Sequence, residues 1–422
     1  MKPNVPSLKL LAVSFTYPPL ALPRAVQVAR LFKHLAAETV LVCADYDEKD
    51  VRKDSTLVAE AEASLKKVLR VPFSLAGWRG RASSLAYRYR LPVWDKTPDQ
   101  HRSWKAAVLK RVESYLRETG SLPDALVTFG SPMSDHLIGL ELKKRYGLPW
   151  LAHFSDPWVD NPFNKHDRLT RALNRALERK VMLAADRLIF TSEETVELVM
   201  SKYPTALRAK ARVLPHAFDA SLFPAQAIEH ADSKLRIRYL GDLYGRRTPQ
   251  PLVDALRLLL ASEPASLADV SFELIGPTYD LPLERLKLET LPEGLVRLKP
   301  PVRYLESLRL MASADGLLVI DAPMERSVFL PSKLIDYVGA GRPILGLTPP
   351  GAAAELITQL GGFVANPGDA RAVAETIGVF LSSLRRRRIE RREIWGAAEV
   401  RRRYEACAVA KLFGEMVGEA LR

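Results

Sequence analysis

A short segment around residue 333 combines the residue types that bind a nucleotide diphosphate. Ser332 and Lys333 stand at the predicted start of a helix, where backbone amides point outward and can hold a phosphate. Asp336 follows one turn later and can accept hydrogen bonds from ribose hydroxyls. The alternative interpretation is structural: Ser332 is a helix cap, Lys333 a surface charge and Asp336 a partner of the helix dipole.

A second candidate anion site follows a strand predicted at 235–240. Gly241 lets the backbone turn tightly, and Arg246 and Arg247 come just before the next predicted helix. Guanidinium groups beside helix amides suit an anion. The alternative is that both arginines are solvated.

A third group of polar residues follows a predicted strand that ends near Phe154. His153 and Asp156 lie at this strand end, and Trp158 is two residues further along. Ligands in open α/β sheets bind outside the carboxyl ends of the strands, so this group is typical of a site. The sequence equally allows Asp156 to cap a turn and Trp158 to fill a core.

The loop after the first predicted strand disfavours one class of enzyme. Residues 16–24 contain no glycine, whereas a dinucleotide fingerprint needs glycines there for a tight turn and close phosphate approach. An NAD-linked dehydrogenase is therefore disfavoured. The two cysteines, Cys43 and Cys407, lie far apart and in no metal-ligand spacing, which disfavours a zinc site and a disulfide framework.

Alternating strand and helix patterns position these candidate sites. The chain opens with a strand at 8–15, a helix at 24–36 and a strand at 39–43, the β-α-β start of a parallel sheet. The alternation continues to residue 214 and restarts at 235 after a polar stretch. The pattern predicts two doubly wound α/β halves in tandem.

Composition limits the class of protein. A chain of 422 residues with 47% hydrophobic and 26% charged residues predicts two or three globular domains. No apolar run approaches the roughly 20 residues of a membrane-spanning helix. The N-terminus lacks the pattern of a secretory signal, so we expect a cytoplasmic location. The net charge of +13 favours an anionic partner: a phosphorylated substrate, an acidic membrane surface or nucleic acid.

Several of these segments together resemble glycosyltransferase family 4, retaining enzymes of the GT-B fold, and in particular members of the bacterial surface-polysaccharide type. The most specific match is Leu-Pro-Ser-Lys-Leu at 330–334 followed by Gly-Ala-Gly-Arg-Pro at 339–343. The resemblance covers most of the chain and is strongest from 235 to 370. Weaker matches lie at 156–158, 215–219, 241–245 and 272–276.

The resemblance implies an α/β protein with the GT-B architecture, in which two Rossmann-like doubly wound domains face a central cleft. It implies an acceptor-side domain first and a nucleotide-sugar-binding domain second. The predicted parts are a domain at 1–219 with an insertion at about 50–120, a linker at 220–233, a domain at 234–395, and a C-terminal helical segment at 396–422 that packs back on the first domain.

Family roles transfer to several positions. Arg247 falls where the family places a Lys beside the donor diphosphate, and Lys333 lies on the opposite wall of that site. Asp336 falls on the second Glu of the family's Glu-x7-Glu motif, which binds the donor ribose. The other assignments are Gly241, Arg246 and Ser332 for the diphosphate, Leu330 and Pro331 for the donor sugar, Asp156 and His153 as catalytic candidates, and Arg24 and Trp158 on the acceptor side.

Four positions depart from the family pattern. Val328 stands where the family often has its first Glu, which contacts the transferred sugar. Asp242 stands where many members have an Arg, and Ala21-Leu22 replaces a common Gly-Gly in the first loop.

The resemblance implies a reaction in which a sugar moves, with retention, from a nucleotide-diphosphate sugar to an acceptor hydroxyl. We expect a sugar or lipid-linked acceptor, a role in cell-surface polysaccharide or glycolipid synthesis, no metal or other cofactor, and no nucleic-acid partner. Two other classes stay open: a sugar-nucleotide epimerase of the same fold and a non-catalytic protein that binds nucleic acid or another anion.

A basic and aromatic stretch from Trp78 to Trp104 predicts peripheral attachment to the cytoplasmic face of an anionic membrane. The alternative is a solvated basic face whose tryptophans lie in the core. The Arg-rich segment at 385–403 has the same two interpretations, because glutamates interspersed along it favour an ion-paired helix face.

Overall fold

The computed structural model describes residues 8–46, 53–74, 97–164, 166–224, 234–279, 281–390 and 394–422. The chain divides into two compact units. Unit 1 comprises Met1–His216 and Ala406–Arg422, and unit 2 comprises Ala217–Glu405. Unit 2 thus begins two residues before the predicted end of the first domain at 219, and the segment that returns to unit 1 begins at 406 rather than 396.

Two predicted segments fall partly outside this description. The predicted linker at 220–233 opens with a short 3-10 turn, Ala220–Leu222, and residues 225–233 lie outside the described residues. Residues 75–96 also lie outside them, so Trp78 and most of the predicted membrane-binding stretch are not described.

A seven-stranded parallel sheet forms the centre of unit 1. Its spatial order is β3-β2-β1-β4-β5-β6-β7, with strands β1 Lys9–Val13, β2 Glu38–Tyr46, β3 Lys67–Phe73, β4 Ala125–Phe129, β5 Trp150–Phe154, β6 Arg187–Phe190 and β7 Ala211–Val213. The order reverses direction between β1 and β4, which makes that place the topological switch point.

Helices lie between the strands of unit 1. They are α1 Pro23–Lys33, α2 Val58–Ala63, α3 Trp104–Thr119, α4 Ser134–Tyr146, α5 Arg168–Ala184, α6 Glu193–Met200 and α7 Thr205–Arg208. Gly120 and Gly147 end α3 and α4 with φ values of 61° and 68°, in the left-handed region that glycine adopts without strain.

Trp104 corrects one sequence prediction. It is 1% exposed, and its indole N–H donates to the carbonyl oxygen of Val71 at 3.2 Å. Trp104 is therefore a core residue of unit 1 and does not belong to a membrane-facing surface, as the alternative interpretation of the 78–104 stretch allowed.

Unit 2 repeats the same topology. Its strands are β8 Leu235–Leu240, β9 Leu243–Tyr244, β10 Val270–Ile275, β11 Thr278–Tyr279, β12 Val296–Lys299, β13 Gly316–Ile320, β14 Ile344–Leu347 and β15 Phe363–Ala365. Six of them form a parallel sheet in the order β12-β10-β8-β13-β14-β15, and β9 pairs with β11. The switch point of unit 2 lies between β8 and β13.

The helices of unit 2 are α8 Gln250–Ser262, α9 Tyr304–Ala312, α10 Ser332–Ala340, α11 Ala352–Gln359, α12 Ala370–Glu390 and α13 Ala398–Arg402. The last helix, α14 Ala406–Leu421, belongs to unit 1. There it packs against α1, and the side chains of Arg187 and Arg212 both reach Glu419. The prediction of two Rossmann-like doubly wound domains is confirmed.

Membrane crossing requires a long and continuously apolar helix. Within the described ranges, no helix has that combination of length and apolar character.

Candidate functional site

Lys333 lies at the start of α10, and its side chain reaches the carboxyl end of β8. Its Nζ donates to the Tyr239 hydroxyl at 3.0 Å and lies 4.5 Å from the centre of that ring. Gly241, directly after β8, has a φ of +149°, and a Cβ there would lie 1.6 Å from Lys333 Nζ. Only a glycine therefore leaves room for this lysine, and the structure brings the two predicted residues into contact.

Arg247 belongs to the same site and is oriented by a carboxylate and a phenol. Its guanidinium donates to Asp321 Oδ1 at 3.2 Å and to the Tyr244 hydroxyl at 3.3 Å. The Lys333 pKa responds to the charges of Arg247 and Asp321, so these groups share one electrostatic environment. The diphosphate candidates Arg247, Lys333 and Gly241 therefore lie together at the switch point of unit 2.

Asp321 is a residue that the sequence analysis missed. It is 1% exposed, and besides Arg247 it accepts hydrogen bonds from the Ala322 backbone N–H at 2.8 Å and from Ser327 Oγ at 3.0 Å. Both of its oxygens are thus fixed by neighbours. A sequence signal existed, because Asp321 comes directly after a predicted strand at 316–320, where ligands bind in open α/β sheets.

Tyr239 was also missed, because a tyrosine inside a predicted strand looks like an ordinary core residue. It is fully buried, and its hydroxyl donates to the Asp242 carbonyl oxygen at 2.9 Å while it accepts from Lys333. The hydroxyl therefore fixes both the loop after β8 and the lysine.

The electrostatics of this site favour an anionic ligand. Burial lowers the Lys333 pKa to about 7, and the charge of Arg247 acts in the same direction. A bound anion favours the ammonium form and would raise this pKa again. Arg247 also keeps its Nε buried and without a hydrogen-bond partner among the described residues. The site thus has donor capacity that the protein itself does not satisfy.

The N-terminus of α10 adds backbone donors. Pro331 precedes the helix in an extended conformation, and no side chain caps its first turn. The amides of Ser332 and Lys333 are therefore orphan donors of the kind that bind phosphate. Leu330 is 8% exposed and packs in the core of unit 2, so contact with a donor sugar would involve its backbone.

Asp336 and Arg246 are the two remaining charged candidates for donor binding. Asp336 is 7% exposed, and its Oδ1 accepts a hydrogen bond from the Tyr304 hydroxyl at 3.4 Å, which leaves little of the carboxylate surface for a ribose. Arg246 is exposed in the turn before α8, as the solvated alternative allowed. Their donor contacts stay predictions.

Unit 1 places Arg24 and His153 in direct contact at its own switch point. Arg24 is 8% exposed, and its NH2 group lies 3.0 Å from both Nδ1 and the carbonyl oxygen of His153. A guanidinium can only donate, so Nδ1 accepts and the neutral ring carries its proton on Nε2. Burial, together with the Arg24 charge, holds the His153 pKa well below its usual value.

Asp156 is the carboxylate of this cluster. It follows β5, is partly buried and accepts a hydrogen bond from Ser155 Oγ at 3.1 Å. Burial raises its pKa, against the opposing effect of the Arg24 charge. A buried carboxyl whose pKa is raised is suited to taking up a proton.

Arg24 is a cation whose charge is only partly compensated. Burial lowers its pKa to about 10, while the nearby Asp156 and Asp135 raise it. Among the described residues it forms no ion pair within 4.0 Å, and its Nε has no hydrogen-bond partner. Burying a guanidinium in this way is costly, so the site favours a ligand with acceptor oxygens.

The acceptor-side assignment of Trp158 has no structural support. Trp158 is 3% exposed, and its indole N–H donates to Asn174 Oδ1 on α5 at 3.1 Å. It fills the core of unit 1, which was the alternative that the sequence left open.

Two further buried titratable residues at the start of α4 escaped the sequence analysis. Asp135 accepts from the Phe15 backbone N–H at 2.7 Å, and burial raises its pKa well above the usual value. His136 lies 2.8 Å from Thr128 Oγ1 through Nδ1, and burial lowers its pKa to about 3. Asp135 thus fixes the loop after β1, next to the Arg24 cluster.

A metal site would need several ligating side chains close together. Across the part of the chain that the structure describes, no group of three or more His, Cys, Asp or Glu side chains is arranged to hold a metal ion. Metal independence stays a prediction.

Part of the chain matches a known family model. Residues 23–217 match the family model described as Glycosyl transferase 4-like domain. This match covers slightly less than half of the chain. The match lies in the first half, whereas the motifs that suggested the family lie mainly between 235 and 370. No curated protein matches the chain.

Solved structures share the whole fold at low identity. An E. coli structure described as trehalose-6-phosphate bound with UDP-2-fluoro glucose has a TM-score of 0.65, at 16% identity over 97% of this chain and 98% of that one. A glycosyltransferase from Rickettsia africae ESF-5 gives 0.65, at 13% identity over 99% of both chains. A sucrose-phosphate synthase from Thermosynechococcus elongatus gives 0.63, at 16% identity over 98% of both chains. These likenesses show the fold, GT-B, in which both domains are Rossmann-like.

Proposed function

We propose that this chain is a retaining glycosyltransferase that moves a sugar from a nucleotide-diphosphate sugar to an acceptor hydroxyl. The observation that carries the proposal is the pair of cations at the switch point of unit 2. Lys333 lies over Gly241, and Arg247 is oriented by Asp321. The match of residues 23–217 to a glycosyl transferase 4-like domain and the shared fold support the same function.

The proposed chemistry is the departure of a diphosphate from the anomeric carbon. Negative charge develops on the leaving oxygen, and the Lys333 ammonium, the Arg247 guanidinium and the amides at the start of α10 are the donors that meet it. Tyr239 and Asp321 hold these donors in place before the reaction, which is the condition for efficient electrostatic stabilisation. Departure and attack take place on one face of the sugar, so no protein nucleophile is needed.

The acceptor side is assigned to unit 1. Asp156, with its raised pKa, is the candidate for taking the proton of the acceptor hydroxyl as the new bond forms. His153 donates through Nε2, because its Nδ1 is occupied by Arg24. Arg24 is a positioning residue in this scheme and also offers its unpartnered Nε to acceptor oxygens.

The finer parts of the proposal concern biological context. We infer a sugar or lipid-linked acceptor and a role in cell-surface polysaccharide or glycolipid synthesis, on the strength of the family motifs at 330–334 and 339–343. We also infer a reaction that needs no metal. Full activity in excess EDTA is the expected result, and activity that is lost in EDTA and restored by a divalent cation would contradict it.

The direct test is a thermal-shift screen across UDP-, GDP- and ADP-sugars. A ligand that binds only the native state raises the melting temperature by mass action. We expect one nucleotide class to stabilise the wild type and to lose its effect on Lys333→Met. The matched control is Lys234→Met, an exposed lysine in the same unit, which should keep the shift.

The same ligand separates a transferase from an epimerase. Incubation with the stabilising nucleotide sugar alone, followed by analysis of the sugar, should leave its configuration unchanged when no acceptor is present. Formation of an isomer would replace the transferase proposal with the epimerase.

A further inference from the structure

The exposed face of α5 carries a stripe of arginines. Arg168, Arg171, Arg175 and Arg179 follow one another at intervals of three or four residues, which places them on one side of the helix. All four side chains are exposed. None of them forms an ion pair or side-chain hydrogen bond within the described ranges of the chain. This contrasts with the arginines of α4 and β6, where Arg145 pairs with Glu141 and Arg187 with Glu419.

The carboxylates closest in sequence are bound elsewhere. Glu178 is the only acidic residue of α5, and it is buried, where it accepts from the Val159 backbone N–H at 3.1 Å and the Tyr203 hydroxyl at 2.8 Å. Lys202 pairs with it at 2.6 Å. Asp167, just before the helix, accepts from the backbone N–H and hydroxyl of Thr170. The positive charge of the stripe is therefore not neutralised from within the helix.

Apolar side chains border the stripe on the same exposed half of α5. Leu169 and Leu183 are 52% and 51% exposed and lie near opposite ends of the helix, with the exposed Ala172 and Ala176 between them. At 100° per residue these four positions form a line beside the arginines, over a helix about 25 Å long. The face thus combines unpaired cations with leucines that no other element of the described chain covers.

We propose that this face of α5 docks on an anionic membrane surface. Arginine heads bind the phosphates of lipid headgroups, and bordering leucines enter the interface between headgroups and acyl chains. Charge complementarity selects an anionic partner, in line with the net charge of +13. The exposed leucines favour lipid over nucleic acid, because the electrostatic contacts that dominate non-specific nucleic-acid binding make no use of aliphatic side chains.

Docking through α5 has a consequence for the acceptor. Residues 155–167 connect the end of β5, where Asp156 lies, to the first residue of α5. A membrane held at α5 would therefore bring a lipid-linked acceptor to the unit that carries Asp156. This consequence rests on the proposed function, whereas membrane docking itself does not.

The experiment is vesicle flotation with the full-length protein. Vesicles containing phosphatidylglycerol are compared with vesicles of phosphatidylcholine alone, at low and at high salt. We expect binding to the anionic vesicles only and weaker binding at high salt. The fourfold variant R168Q/R171Q/R175Q/R179Q should reduce the partition coefficient on the order of 100-fold or more, since each arginine near an anionic surface contributes about fivefold.

A charge-matched control removes four exposed cations from α3 and α4: K110Q/R117Q/K144Q/R145Q. It should bind vesicles nearly as well as the wild type. If the two fourfold variants lose binding equally, net charge rather than α5 is responsible and the proposal fails. It also fails if the α5 variant binds as tightly as the wild type.

Two further experiments distinguish a membrane from nucleic acid as the partner of α5. L169S/L183S should weaken vesicle binding at high salt, where the electrostatic contribution is screened. Electrophoretic shift assays with duplex DNA and with RNA should show no tight binding at physiological salt, and tight binding there without vesicle binding would overturn the proposal. All substituted side chains are exposed, so melting temperatures and nucleotide-sugar thermal shifts should stay unchanged, which separates this test from that of the proposed function.

Discussion

The two units share one strand order but hold different chemistry at their switch points. In unit 2, Lys333 and Arg247 are cations oriented by a phenol and a carboxylate, with helix amides beside them. In unit 1, Arg24 is buried beside a neutral histidine and a carboxyl whose pKa is raised. The topology thus fixes where a ligand binds, and the residues after each strand decide which ligand.

The same comparison explains why the site of unit 2 suits an anion and the site of unit 1 suits acid-base chemistry. Unit 2 supplies cations and backbone donors, which suit an anionic ligand that itself holds Lys333 in the ammonium form. Unit 1 supplies groups whose protonation is shifted by burial, which suit a hydroxyl that must lose a proton. Substitutions in one unit should therefore affect donor binding and those in the other should affect acceptor chemistry.

The largest effect is expected from Lys333→Ala. Removing one electrostatic donor from a developing negative charge typically costs 10²–10³ in kcat, so we expect a loss of about that size with the fold intact. Steady-state kinetics and the melting temperature of the variant measure both parts. Turnover close to the wild-type value would contradict the assignment of Lys333 to the leaving-group site.

Arg24→Met should impair the reaction with the acceptor and leave donor binding intact. The variant leaves His153 Nδ1 without its donor, and a small misplacement of a catalytic group can cost about 10²-fold, so we expect a fall of that order in kcat/KM for the acceptor. The nucleotide-sugar thermal shift should stay as in the wild type, and Arg145→Met, on an exposed arginine of unit 1, should leave both quantities unchanged. An equal loss of donor binding would show that the two sites are not separable in this way.

A smaller effect is expected from Gly241→Ala. The new methyl group would meet Lys333 Nζ and displace the side chain, so donor affinity should fall by about tenfold. The double variant with Lys333→Ala supplies the control. If the glycine serves only the lysine, adding Gly241→Ala to Lys333→Ala should cause little further loss of donor affinity. Additive losses would indicate an independent effect of the loop, including the backbone strain of alanine at a φ of +149°.

The pH dependence of donor binding should be the most gradual effect. The pKa of Lys333 is about 7 without ligand, and a diphosphate favours the ammonium form. Affinity should therefore be greatest below pH 7 and fall up to tenfold per pH unit above it, with proton uptake on binding. Calorimetry in buffers of different ionisation enthalpy measures the uptake. Lys333→Arg, whose guanidinium stays charged, should abolish the slope, and a slope that persists would assign the titration to another group.

The fold and part of the candidate diphosphate site were predictable from the sequence. Strand-helix alternation is a local pattern, and Gly241, Arg247 and Lys333 each stand directly beside a predicted strand end or helix start. Asp321 and Tyr239 act through contacts across the sheet, which local patterns do not encode. The sequence left open whether Trp104 and Trp158 lie in the core or face a membrane or a ligand, because the residue type does not show in which direction the side chain points.

The attachment of α14 to unit 1 constrains the order in which the two units can complete their structures during synthesis. The side chains of Arg187 and Arg212 can bind Glu419 only after the whole of unit 2, which lies between them in sequence, has been synthesised. Unit 2, whose residues all precede α14, is fully synthesised before unit 1 has its final helix. Termination of translation between residues 405 and 406 would therefore leave every residue of unit 2 in place but deprive unit 1 of α14.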